Sequence, residues 1–347
     1  QAATQRIAPA GALEDPMLEA GLLNLPTRSF SITREDMTMK MLGLSQRLPY
    51  PGKRALRREV AEKDAESVGH AYQETVNRVA REIKTAYYDL ALAIESMRLV
   101  EQNRSILAQL LKVVEGRYTV GQGSQVDVLR AQAQFSKMSE ELIRLTREQS
   151  MFEAELNRLL GRPATAPVPP PSLLQLAEVT LAYDALYAQA LEGRPQLLAL
   201  RHLAARNERS VELATRDRYP DFDLRLSYGQ RENMPDGTRR SDLITFTVAM
   251  NLPVWRQTKT GPRIAESQAM HEQALALYEA QRNETAMKLR QQIVVAEQSA
   301  RAARLYRSEL LPQSRLTVEA ALAAYQVNRL EFAPLLDNQM TIFGFEL

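Results

Sequence analysis

The sequence contains no cysteine. Disulfides and thiolate metal sites are therefore excluded, and an oxidising compartment is compatible with the chain. No apolar run approaches the ~18 residues that a membrane-spanning helix needs. The net charge is only +2, and no Lys/Arg cluster is interleaved with aromatics, so nucleic acid is not expected as a partner. The three histidines, His70, His202 and His271, lie far apart in largely polar helical settings. There is no His-x-x-x-His, no Gly-rich phosphate loop and no nucleophile elbow. No enzyme and no cofactor is expected. A signal peptide is also missing, and Gln1 reads as an internal start. Yet hydrophobic residues make up 45% and charged ones 25%, which excludes both a disordered chain and a helical membrane protein.

Proline and glycine are distributed unevenly. From Lys53 to Tyr118 there is no proline and the only glycines are Gly69 and Gly116. Apolar side chains recur at Val76, Val79, Ile83, Tyr87, Leu90, Ile94 and Met97, the spacing of a coiled-coil seam. At ~1.5 Å per residue the predicted helix is roughly 100 Å long. The pattern breaks at Gly121 and Gly123, then resumes through Leu129, Met138, Leu145 and Leu156 to the stop at Gly161-Arg162-Pro163. Glycine permits the positive φ that a tight reversal requires, and either Ser124 or Asp127 can cap the returning helix.

A weaker copy of this junction stands at 325–339. Tyr118, Val120, Leu129 and Gln132 match Tyr325, Val327, Leu336 and Gln339 at one offset of 207 residues. Asn328 replaces Gly121, and asparagine is the next best residue for a left-handed turn. Before each helical stretch come two candidate strands. The first pair spans about 17–25 and 37–49, with Leu42, Leu44 and Leu48 on one side and Met41, Gly43, Ser45 and Arg47 on the other. The second pair alternates Phe222, Leu224, Leu226 and Tyr228, then Ile244, Phe246, Val248 and Met250, with polar or small residues between. Asp221-x-Asp223 hints at a cation site and Met37, Met39 and Met41 at soft ligands, but strand initiation and packing account for both sets. A Pro-rich stretch, 162–171, joins the halves, and 173–192 and 195–217 read as shorter helices.

The expected architecture is mainly α with a small β part: strand, strand, long helix, long helix, written twice. The first copy continues 29 residues beyond Gln132 to Gly161, the second 8 beyond Gln339, so the repeat predicts a further helical segment of about two dozen residues. Each strand is long enough to cross an outer-membrane-type bilayer. Four strands cannot close a barrel, and lipid tolerates no open edge. Transmembrane strands would thus require several chains to pool them; otherwise the sheet is a soluble cap on a helical domain.

This layout, the tips Arg117–Gln132 and Tyr325–Gln339, and the phrases Gly193-Arg194-Pro195 and Tyr219-Pro220-Asp221-Phe222 resemble the TolC-type outer membrane efflux family. Glu35-Asp36-Met37-Thr38-Met39 and Leu48-Pro49-Tyr50-Pro51-Gly52-Lys53 are similar to its heavy-metal, CzcC/CusC-like branch. The resemblance implies a homotrimer with a 12-stranded barrel in outer-membrane lipid and a long α-helical periplasmic tunnel. It implies a periplasmic membrane-fusion adaptor and an inner-membrane pump of the resistance-nodulation-division type as partners. The expected function is a passive exit duct for heavy-metal cations. Alternatives are a duct for drugs or proteins on the same fold, or a periplasmic adaptor. The expected division is 17–49 and 219–254 for the barrel, 53–161 for one helical hairpin, 162–218 for the linker and equatorial helices, and 262–347 for the second hairpin.

The resemblance also assigns sites. Asp337 falls where the family has an acidic ring at the aperture, while the other acidic gate position is Pro334 here. Asp127 and Tyr325 match a pair that latches neighbouring helices. The exposed corners, Val120, Gly121 and Gly123 with Val327, Asn328 and Arg329, are the expected adaptor-docking surface.

Overall fold

The computed structural model describes residues 1–172 and 182–347, so the part of the first linker helix expected at 173–181 lies outside the described residues. The elements are α1 (Ala2–Gln5), α2 (Ile7–Gly11), β1 (Met17–Leu23), β2 (Met39–Leu48), α3 (Lys53–Thr119), α4 (Gln125–Leu159), α5 (Tyr183–Gly193), α6 (Pro195–Arg216), β3 (Phe222–Gln230), β4 (Leu243–Met250), α7 (Gly261–Leu305), α8 (Leu311–Gln326) and α9 (Phe332–Glu346). Two compact units share these elements, Gln1–Glu74 with Ala188–Ala286, and Thr75–Tyr187 with Met287–Leu347.

In the first unit the four strands form one antiparallel sheet in the order β1-β2-β3-β4. The register carries the alternation across all of them: Leu18 opposes Leu44, Leu44 opposes Leu226, and Leu226 opposes Phe246. Because the side-chain period is two, one face collects Leu18, Leu22, Leu42, Leu226, Ile244 and Phe246, all exposed. The opposite face carries Glu19, Ser45, Arg225, Ser227, Thr245 and Thr247, and Arg225 pairs with Glu19 at 3.2 Å. Met39 is buried on this side, against Gly229, where any larger residue would displace its sulfur. This favours the packing role expected for Met39.

Where the strands meet the helices, Lys53 is buried and its Nζ donates to Asp221 Oδ1 at 2.9 Å and to the Tyr219 carbonyl at 3.1 Å. The Tyr50 amide donates to the same carboxylate at 2.9 Å, and Tyr50 stacks on Tyr219 at 4.5 Å. Asp221 thus already has its cation, and the suggested Asp221-x-Asp223 cation site is taken by Lys53. Burial works against the charged carboxylate, but the Lys53 and Tyr50 hydrogen bonds and the charges of Lys53 and Arg47 outweigh it and hold its pKa below the usual value.

In the second unit the buried line along α3 is Ala86, Leu90, Ala93, Ser96, Val100, Asn103, Leu107, Leu110 and Val114. Leu90 belongs to the seam read from the sequence; Val79, Ile83, Tyr87, Ile94 and Met97 are only partly buried, and Val76 is exposed. Two alanines and two polar residues, Ser96 and Asn103, share the true seam with Leu90, Val100, Leu107, Leu110 and Val114, so the sequence-read positions beside them flank it. On α4, Ala131, Met138 and Leu145 are buried seven residues apart and pack into the same core. That core also takes Tyr325, Phe332, Leu335, Leu336 and Phe343 from α8 and α9.

Within the second hairpin, expected over 262–347, the helix that leads to the tip is not continuous. A π turn, Arg256–Thr260, precedes α7, and another, Tyr306–Leu310, separates α7 from α8. The copies explain the need. Leu48 matches Leu252 at an offset of 204 and Tyr118 matches Tyr325 at 207, so the second copy has extra residues on the way to its tip. Each π turn accommodates extra residues within a helix.

Candidate functional site

The two helix junctions close in the same way. At the first, the Gly121 amide donates to the Tyr118 carbonyl at 3.0 Å and the Gln122 amide to the Arg117 carbonyl at 2.8 Å. At the second, the Asn328 amide donates to Tyr325 at 3.1 Å and the Arg329 amide to Ala324 at 2.9 Å. Both are Schellman closures, with one residue in the left-handed region. Those residues are Gly121, at φ +74°, and Asn328, at φ +59°. Gly123 serves another need: a Cβ there would sit 3.0 Å from the Tyr118 amide nitrogen. Between the two candidates, the cap of α4 is Ser124, whose Oγ accepts from the Val126 amide at 3.1 Å. The first turn of α9 has no side-chain cap.

The corner residues are open to a partner. Val120, Val327, Gly121, Asn328 and Arg329 are exposed, and Gly123 is partly buried. Asp337 is exposed on α9. It shares the uncovered stripe Pro334, Asp337, Thr341 and Gly344, whose other side is the buried row Leu335, Leu336, Gln339 and Phe343. On this stripe Asp337 is the only ionisable group.

Asp127 and Tyr325 are placed differently from each other. Asp127 stands in the first turn of α4, partly buried. Tyr325 is buried, its ring tilted against Phe332 at 5.8 Å and covered by Arg117, whose guanidinium carbon lies 4.2 Å from the ring centroid. Among the described residues the chain makes no hydrogen bond between Asp127 and Tyr325. Arg117 instead joins the two tips, because its Nη2 also donates to the Gln326 carbonyl at 3.0 Å. Sequence reasoning missed Arg117. Its place one residue before Tyr118, in the last turn of a long helix, was the available signal.

A buried polar contact was missed too. Gln339 Nε2 donates to Asn103 Oδ1 at 3.1 Å, and Asn103 Nδ2 donates to the Leu99 carbonyl and to Glu346. It fixes the register of α9 against α3 inside an otherwise apolar core.

Two of the histidines, His70 and His202, are brought together despite their separation in sequence. His70 stacks on His202 at 5.1 Å, His202 Nδ1 lies 2.7 Å from Glu66, and His271 Nδ1 lies 3.0 Å from the Ala204 carbonyl. Burial lowers the His202 pKa against the opposing pull of Glu66. Among the described residues no group of three or more His, Cys, Asp or Glu side chains is arranged to hold a metal ion, and no helix is long and apolar enough to cross a membrane.

Comparison with known proteins supplies the frame for this geometry. The family described as "Outer membrane efflux protein" matches residues 2–162 and 186–333. The multidrug resistance outer membrane protein MdtP of Escherichia coli K12 is 22% identical over 260 residues, covering 72% of this chain and 51% of that protein. The chain thus spans about half the length of such curated relatives. Among solved structures, the outer membrane protein VceC of Vibrio cholerae superposes with a TM-score of 0.80 at 18% identity, covering 99% of this chain and 85% of that one. CusC, from work on folding and transmembrane channel formation, gives a TM-score of 0.81 at 14% identity, covering 99% and 81%. At these identities the structures share the fold.

Proposed function

The chain belongs to the outer membrane efflux protein family, and we propose that it is the outer-membrane exit duct of a tripartite efflux system. It is a protein of the outer membrane and not an enzyme. The observation that carries the proposal is the sheet. Its apolar face is exposed over four strands, and β1 and β4 each have an unpaired edge among the described residues. A lipid-facing sheet must close. Three copies pool twelve strands into one barrel, the polar face inward and the apolar face on lipid. In that assembly the α3–α4 and α8–α9 tips form the periplasmic end. A membrane-fusion adaptor docks on Val120, Gly121, Gly123, Val327, Asn328 and Arg329, and an inner-membrane pump of the resistance-nodulation-division type feeds the duct.

Three copies of Asp337 line the aperture. A ring of carboxylates favours cations and repels anions. This supports heavy-metal cations as cargo, together with the sequence phrases shared with the metal branch. The named multidrug relative supports a second reading, organic compounds through the same duct. Asp127 and Tyr325 act as a hydroxyl-dependent latch between neighbouring helices of the closed assembly.

The deciding experiment is extraction of the full protein from the outer-membrane fraction, followed by mass measurement and single-channel recording. A detergent-dependent trimer is expected, with Asp337→Asn lowering cation selectivity and Tyr325→Phe raising closed-state conductance. A monomer soluble without detergent overturns the duct. Unchanged conductance in Tyr325→Phe removes the latch. Growth of a deletion strain on zinc, cobalt, cadmium, copper and silver, and on organic toxicants, separates the two cargo readings.

A further inference from the structure

The chain's single tryptophan stands just past the end of β4. Leu252, Val254 and Trp255 are all exposed there, Trp255 by 70%. They follow β4 directly in the chain, whose apolar face runs through Ile244, Phe246, Val248 and Met250. Directly after them the π turn Arg256–Thr260 presents Arg256 and Lys259 to solvent. Neither cation has a carboxylate partner among the described residues. Of the aspartates at this end of the sheet, Asp223 lies on the polar face, in register with Arg47 and Ala249, and two are already engaged: Asp221 and Asp217 lie 2.9 and 3.4 Å from Lys53, and Arg263 lies 3.7 Å from Asp217. Arg218, before β3, is exposed at the same end of the sheet.

An exposed apolar strand face, an indole at its end and two unpaired cations beyond it follow the polarity profile of a lipid leaflet: acyl chain, interface, phosphate. Tryptophan settles at the headgroup level because its ring is apolar and its N–H is polar. Lysine and arginine near an anionic lipid surface are attracted to it over about a Debye length. We propose that Trp255, Arg256 and Lys259 form a headgroup site for anionic phospholipid of the periplasmic leaflet. The site rests on the reading of the sheet as the lipid-facing wall of a barrel. It adds a recognised lipid to that wall. Charge complementarity and continuity with the apolar face select a lipid over a second copy of the chain as occupant, since two unpaired cations have nothing to neutralise them in a protein seam made of the uncharged apolar face of β4.

The lone tryptophan makes the site its own reporter. The full protein is reconstituted into phosphatidylcholine vesicles containing equal small fractions of brominated phosphatidylglycerol or brominated phosphatidylcholine. Emission is excited at the red edge, where tyrosine does not absorb, and insertion is scored separately by flotation. In the inserted protein, brominated phosphatidylglycerol should quench roughly two- to fivefold more than brominated phosphatidylcholine, and the preference should fall as salt is raised. Arg256→Gln with Lys259→Gln should bring the ratio to one while insertion is retained. Equal quenching by both lipids in the unaltered protein overturns the headgroup site. So does an inserted protein whose emission neither lipid quenches, because Trp255 is then in water or under a second copy. Both outcomes leave the barrel reading standing. Failure of the unaltered protein to insert overturns the barrel reading and the lipid site with it. If the double variant does not insert, the lipid comparison and salt dependence of the unaltered protein decide alone.

Discussion

The two helical tips share a backbone and differ in what surrounds it. Between α3 and α4, and between α8 and α9, the chain crosses at matching positions, and the same pair of carbonyls is satisfied at each. The side chains then part. Tyr118 is 47% exposed and its match Tyr325 is 6% exposed; Leu129 is 55% exposed and its match Leu336 is 7%. Gln125, at the start of α4, is exposed, whereas its match Phe332 is buried. At these three pairs the first tip turns its side chains outward and the second turns them inward, while Val120 and Val327 are exposed at both. A duplicated motif can keep its hydrogen bonds while its faces diverge, because the Schellman closure uses only backbone groups and one left-handed residue. The first tip leaves Tyr118 and Leu129 exposed, and the second holds the core through Tyr325, Phe332 and Leu336 while Asp337 stays exposed.

The largest break in this comparison is Phe332→Ala against Gln125→Ala. Removing a fully buried ring costs about 3–5 kcal/mol, whereas an exposed polar truncation stays within about 0.5 kcal/mol. Thermal unfolding followed by circular dichroism should separate the variants widely. Equal shifts would mean that the tips are packed alike in the assembled protein.

A smaller effect tests the left-handed residues. Gly121→Ala puts a Cβ at positive φ and costs about 1–2 kcal/mol. Asn328→Gly should gain up to about 1 kcal/mol, since asparagine already bears part of that cost. Opposite signs in the unfolding midpoint sharpen the comparison, and a loss in both would indicate that the Asn328 side chain is held by a partner.

These positions were legible in the sequence for a physical reason. Left-handed backbone favours glycine and asparagine, so Gly121, Asn328 and the stop at Gly161, φ +67°, identify themselves, whereas Phe30, at φ +46°, does not. Period-two alternation exposes the strands in the same way. The α3 seam was less legible, because Ala86, Ala93, Ser96 and Asn103 alternate in it with Leu90, Val100, Leu107, Leu110 and Val114, and the first four do not stand out by hydrophobicity. The break at Tyr306–Leu310 was hidden as well, since a π turn needs no glycine and the residues there remain good helix formers. Of the tip contacts, Arg117 over Tyr325 joins residues more than two hundred positions apart. Local pattern holds no information about such a pair.

The caps give the next test. Ser124→Ala removes the hydroxyl that accepts from Val126 and should cost about 1 kcal/mol. Glu331→Ser places a capping group where α9 has none and should gain about 0.5 kcal/mol. Hydrogen exchange of the first-turn amides is the direct measurement, with protection falling at Val126 in the first variant and rising in the first turn of α9 in the second. No change at either end would show that other chains, not local caps, satisfy those amides.

The smallest expected effect falls on Arg117, the contact that joins the tips. Arg117→Gln removes the cation from the Tyr325 ring, worth about 0.5–1 kcal/mol at a partly exposed site, and weakens the bond to the Gln326 carbonyl. Arg117→Lys keeps the charge but loses the planar fork that both stacks on the ring and reaches the carbonyl. If Arg117 merely covers the core, both variants lower the unfolding midpoint slightly and the channel conducts as before. If it ties the tips together, the spontaneous opening rate rises in Arg117→Gln, and Arg117→Lys falls between it and the unaltered protein. A latch carried by Tyr325 hydroxyl alone predicts no opening effect from either Arg117 variant, so the pair of substitutions divides a ring-and-guanidinium clasp from a hydroxyl latch at the same tyrosine.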